Sequence, residues 1–206
     1  MSVFSLLMPV KDVLRQNRNW LIMAAVIFLV GSLCSYLSGA YHVETLPGLE
    51  EQLDGLEQLF NLILDNPPLI SALLVFLNNF ITMIQMLFLG VLAGISPLIT
   101  LFANGYILGV VAASYQATGG SIPAMIFLGI LPHGIFELSA VFLCGALGLK
   151  FGFHCVATPL PEMTRRQSFK YIWKEVISVI PLVVALLLGA ALIEIFITPQ
   201  LFGGLM

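Results

Sequence analysis

The stretch from Val176 to Ile197, VISVIPLVVALLLGAALIEIFI, decides the fold. It holds one ionisable side chain, Glu194, and it is longer than the about 20 apolar residues a helix needs to cross about 30 Å of hydrocarbon. Four further runs of the same kind precede it, at Trp20–Ala40, Leu69–Ala93, Leu98–Gln116 and Ile122–Leu149. Across the 206 residues, 59% are hydrophobic and 9% charged, with a mean hydropathy of +1.03, whereas soluble domains carry about 25% charged residues. The sequence predicts an all-α, polytopic transmembrane helical bundle of five spans, forming one domain over residues 1–206.

Charge placement predicts orientation. The eight Lys and Arg residues fall in two clusters, Lys11, Arg15 and Arg18 before the first run, and Lys150, Arg165, Arg166, Lys170 and Lys174 between the fourth and the fifth. The segment 41–68 has none, and carries Glu44, Glu50, Glu51, Asp54, Glu57 and Asp65. The positive-inside rule then puts the N-terminus and residues 150–175 in the cytoplasm and the acidic segment outside, a multi-pass arrangement expected in the cell membrane. Ser38-Gly39-Ala40 resembles a cleavage site, but signal h-regions run about 7–15 residues and this run is longer, so a retained anchor is expected. With acids in excess and no basic surface outside the two topogenic clusters, nucleic acid is excluded as a partner.

Little chain is left outside the bilayer. Residues 1–19 are expected to form a juxtamembrane helix with Phe4, Leu7, Val10 and Leu14 on one face. Leu46, Leu49, Leu53, Leu56, Phe60 and Ile63 recur at spacings of three and four, the pattern of an amphipathic helix whose other face is acidic. That helix is expected to lie over the bundle or to dock a partner. Residues 150–175, with Pro159, Pro161, Phe169, Tyr171 and Trp173, read as a basic segment with an interfacial aromatic belt. Cys34, Cys144 and Cys155 include no CxxC and no pair in an oxidising compartment, so they read as apolar fillers.

An ionisable group inside hydrocarbon costs about 2.5–3.5 kcal/mol on insertion scales and needs a partner, a wet cavity or a neutral state. His133 and Glu137, four apart in the fourth run, share one helix face, and Glu194 lies in the fifth. Pro132 removes a backbone donor and Gly134 relaxes the backbone, so the fourth span is predicted to kink or break at Pro132 and expose carbonyls. Asn78, Asn79, Thr82 and Gln85 make a polar stripe on the second run, and Asn104 stands on the third beside Gly105 and Gly109, whose spacing permits close backbone approach. The expected use of these groups is an interhelical hydrogen-bond network, with an ion or proton site as the alternative.

The fourth run, with Pro132, His133, Gly134, Ile135, Glu137 and Leu138, resembles the signature of the stage II sporulation protein M family of integral membrane proteins. The resemblance extends through Asn79, the turn Gly94-Ile95-Ser96-Pro97, Asn104-Gly105-Tyr106, Gly109, Gly145 and Gly148, covering residues 69–150. It implies a membrane anchor that gathers partner proteins in spore-forming bacteria. Relatives in organisms that never sporulate leave the biochemical activity open.

Three functions follow as expectations. The first is a non-enzymatic scaffold, homo-oligomeric (a dimer), that assembles other membrane or envelope proteins and needs no cofactor. The second is a small dimeric transporter or channel in which His133, Glu137, Glu194 and the Asn stripe line a path. The third, an intramembrane metallohydrolase, lacks support: zinc sites usually have three protein ligands, His42 and His154 fall on opposite sides, and neither HExxH nor Gly-x-Ser-x-Gly occurs. No metal site is therefore predicted.

Overall fold

The protein is described by a computed structural model covering residues 7–38, 55, 58, 61, 62 and 65–203. Among these residues the secondary structure is helical. A short α1 (Val10–Gln16) leads into α2 (Arg18–Ser38), followed by α3 (Pro68–Leu89) and α4 (Ile95–Ala117). The fourth span combines α5 (Ile122–Ala124), a π-helical segment (Met125–Ile130) and α6 (Leu131–Val156); α7 (Arg165–Phe196) and α8 (Thr198–Gly203) close the chain. Five helical stretches are long and apolar enough to cross a membrane: Arg18–Ser38, Pro68–Leu89, Ile95–Ala117, Ile122–Val156 and Arg165–Phe196. The chain is a multi-pass membrane protein. The amphipathic helix expected through Leu46 to Ile63 lies outside the described residues.

Helices extend past the apolar runs where charge is accommodated. The basic segment at 150–175 is mostly helix: α6 continues to Val156, α7 begins at Arg165, and only 157–164 connect them. Both new ends are capped. Thr164 and Gln167 form a reciprocal capping box at the start of α7. The Arg165 guanidinium donates to the carbonyls of Cys155, Val156 and Ala157 at 2.6, 2.9 and 3.2 Å, covering acceptors that the end of α6 leaves without intrahelical partners.

The two basic clusters meet at one end of the bundle, as the charge pattern predicts. The Met8 N–H donates to Ser178 Oγ (2.8 Å), and the Tyr171 hydroxyl donates to Gln16 Oε1 (2.6 Å). The α3–α4 turn lies at this end too. It passes through Ala93 (φ 58°) and Gly94 (φ 73°), and Gly152 on α6 packs directly onto the Gly94 backbone. At the opposite end, the Tyr36 hydroxyl donates to Gln116 Oε1 (2.6 Å).

The closest helix pair is α2 with α4. Gly105 faces the Phe28 carbonyl and Gly109 the Ser32 carbonyl, while Gly31 of α2 faces the Phe102 carbonyl. A side chain at any of the three would collide with backbone, so the small-residue spacing read from the sequence is what brings these helices together. The second tight pair, α6 with α7, is filled by fully buried aliphatics, among them Leu147, Val179 and Leu187. By contrast α3 and α4 pack less extensively on each other.

Candidate functional site in the bundle middle

The fourth span does not break at Pro132. Proline cannot donate to the carbonyl four residues back, and the chain answers upstream: turns at Met125–Ile130 widen to π-helix, with the Leu131 N–H donating to Ile126 O, five residues back. The α-helix then resumes at Leu131, with Pro132 in its first turn, where a missing donor costs nothing. In place of the expected break the helix widens before the proline. π-helical turns are frequent at functional sites, and here one ends three residues before His133.

His133, Glu137 and Glu194 converge from α6 and α7. Their candidate ligand atoms, a ring nitrogen and one oxygen from each carboxylate, all lie within 4.8 Å of one another, and each side chain is partly buried. The absence of a third ligand, which weighed against a metal in the sequence, is made good by Glu194. The His133 ring is oriented from outside the cluster. Its Nδ1 lies 3.2 Å from Thr198 Oγ1, and the Thr198 hydroxyl donates to the Ile193 carbonyl at 3.3 Å. When the hydroxyl proton is used there, the hydroxyl accepts from Nδ1–H and the lone pair is left on Nε2.

Beside this cluster, between α3 and α4, lies a cavity of about 340 Å³. Asn78, Asn79, Thr82 and Gln85 of α3, Thr100 and Asn104 of α4, and Glu137 of α6 line it, with Gly55, Met83, Ile99, Ala103 and Ile107 completing the wall. Glu137 thus belongs to both the cluster and the cavity. The polar stripe is not an interhelical network within the chain, in contrast to the expectation. Thr82 Oγ1 donates to Asn78 O and Asn104 Nδ2 to Thr100 O, both within their own helices. Among the described residues, the side-chain amides of Asn78, Asn79 and Gln85 bond to no other helix.

A second polar group was missed in the sequence. Lys150 Nζ donates to Glu175 Oε2 at 2.6 Å, with side chains 6% and 0% exposed. Asn17 Nδ2 donates to Glu175 Oε1 at 2.9 Å and to Val13 O at 2.8 Å, and the Tyr171 ring lies 5.6 Å from Lys150 Nζ. The group ties α1, α6 and α7 together at the basic end. Lys150 had been counted only as a topogenic charge. Its one sequence signal is that it stands directly between apolar residues, Leu149 and Phe151, at the end of the apolar run. The aromatic belt also packs on the bundle, since Trp173 packs on Phe88 and Phe151, and Phe151 on the exposed Phe169.

Comparison with known proteins places this architecture. Residues 24–199 match the family described as Stage II sporulation protein M. An uncharacterised protein of Methanocaldococcus jannaschii is 31% identical over 128 residues, spanning 60% of this chain and 68% of that protein. No solved structure matches the chain. The matched region includes the first four spans from Ala24 onward, the Pro132-to-Leu138 segment, Glu194 and Thr198, and the chain belongs to the stage II sporulation protein M family.

Proposed function

We propose that this protein conducts a small polar solute or cation across the membrane through the cleft between α3, α4 and α6. One observation supports this above the rest: a polar cavity of about 340 Å³ sits midway along the spanning helices, and among the described residues its amide side chains find no partners on other helices. In hydrocarbon an unpaired polar group costs several kcal/mol, so such a cavity holds water or a polar solute rather than lipid. Glu137 supplies a carboxyl at its inner wall, and the neighbouring π-helical turn offers a place where the span can adjust. Asn78 and Gln85 are exposed on the single chain, so a second copy, set against α3 and α4, would complete the wall.

The test is flux in proteoliposomes, read with an internal pH dye and with a metal-quenched dye, for wild type, Glu137→Gln and Asn104→Leu. Flux by wild type that both substitutions reduce supports conduction. Wild-type vesicles no leakier than protein-free vesicles to protons, alkali cations and divalent cations would sink it.

A scaffold role is the second reading, favoured by that same exposure of Asn78 and Gln85. Amides on a span surface are apt hydrogen-bond partners for polar residues of another protein's span. It predicts stable copurification with another membrane protein, lost in Asn78→Leu/Gln85→Leu.

A further inference from the structure

We infer that His133, Glu137 and Glu194 form an intramembrane binding site for a first-row divalent transition-metal ion. The inference rests on the conduction reading only for its purpose, and the site stands or falls separately. Three facts support it. The ligand atoms lie within 4.8 Å of one another, close to the spread of about 3–4 Å between ligands around an ion held at about 2.1 Å. The Thr198 hydroxyl holds Nδ1 and so orients the ring, as metal-bound histidines are oriented through their other nitrogen, and the tautomer protonated at Nδ1 leaves the Nε2 lone pair for an ion. Among the described residues no Lys or Arg pairs with the two carboxylates. All eight Lys and Arg residues lie in 11–18 and 150–174, and that part of the chain packs at the opposite end from the Tyr36–Gln116 contact.

Two carboxylates and an imidazole lone pair converging in a low-dielectric bundle repel one another unless a positive charge joins them. The donor set selects among ions. Imidazole nitrogen with carboxylate oxygen suits Zn²⁺, Mn²⁺, Fe²⁺ or Co²⁺, whereas Mg²⁺ and Ca²⁺ favour all-oxygen shells. Three protein ligands leave coordination positions open, and the adjoining cavity, which Glu137 also lines, gives water or an incoming ion access to them.

The experiment uses the full chain in detergent, stripped with a chelator and titrated with Co²⁺, whose visible absorption reports nitrogen and oxygen ligation directly. A saturable band is expected, with affinity weakened at least about 10- to 100-fold in Glu194→Gln and in Thr198→Val, and unchanged in His154→Ala. Glu194 stands at the end of α7, so its isosteric variant keeps the test open if Glu137→Gln fails to fold. Absence of the band in folded wild-type protein, or a band unaffected by Glu194→Gln and His133→Asn, overturns the site; the carboxyls are then held by protons alone. Metal binding without flux leaves the site standing and removes the conduction reading, and flux without metal binding does the reverse.

Discussion

Lys150 and Glu175, twenty-five residues apart, meet at 2.6 Å in a fully enclosed ion pair that joins the fourth span to the fifth. Asn17 adds a third element to the same carboxylate. Removing one member leaves the other charged and buried, which costs about 3–5 kcal/mol in comparable pairs. Glu175→Ala and Lys150→Ala are therefore each expected to lower the unfolding midpoint sharply in detergent. Lys150→Met/Glu175→Leu should recover most of the loss, since an apolar pair of similar volume is commonly neutral or stabilising. A double-mutant cycle by thermal unfolding checks this; single variants as stable as wild type would refute it.

Glycines divide by what their missing Cβ would meet. At Gly109 it would collide with the Ser32 carbonyl of α2, whereas at Gly189 the nearest atom is Phe136 Cδ1 at 3.9 Å, an ordinary contact. Gly109→Val should force α2 and α4 apart at a cost of at least about 1–3 kcal/mol. Gly189→Ala should be tolerated or raise stability by up to about 1 kcal/mol through helix propensity. Thermal melts of the two side by side decide the matter.

Water in the cleft is testable by chemistry. In a background with Cys34, Cys144 and Cys155 replaced, Asn79→Cys should react with small water-soluble thiol reagents in intact membranes, because the thiolate needs water to form. Ile81→Cys, exposed on the outer surface of the same helix, should stay unmodified in lipid. Equal protection of both would mean a dry cleft.

Sidedness gives a fourth expectation. Lys11→Cys and Arg166→Cys should label from the same face of sealed vesicles, and Gly119→Cys from the other. The first pair follows from the contacts that hold Met8 and Gln16 against Ser178 and Tyr171, and the opposite face follows from the turn after α4.

The spans and the polar stripe were legible in the sequence because both are periodic properties of single helices. Apolar length marks a crossing, and Asn78, Asn79, Thr82 and Gln85 share a face by spacing alone. The His133–Glu137 pair was legible for the same reason. Glu194 was visible as a costly residue, but its meeting with that pair depends on how α7 sits against α6, which no local pattern encodes. Lys150 and Glu175 were hidden by a sound rule: charges flanking apolar runs usually mark the membrane boundary, and here helix and burial continue past them. Pro132 announced an irregularity correctly and its form wrongly, since a proline's lost hydrogen bond is absorbed in the preceding turns rather than at the residue itself.

That displacement of the irregularity sets a phase. The π-helical turns hold an offset between the loop at residues 118–121 and the face carrying His133. Deleting one residue there would restore ordinary winding and rotate one side against the other by about 100°. The azimuth of the face carrying His133 and Glu137 relative to the loop before it thus depends on the number of residues in this segment.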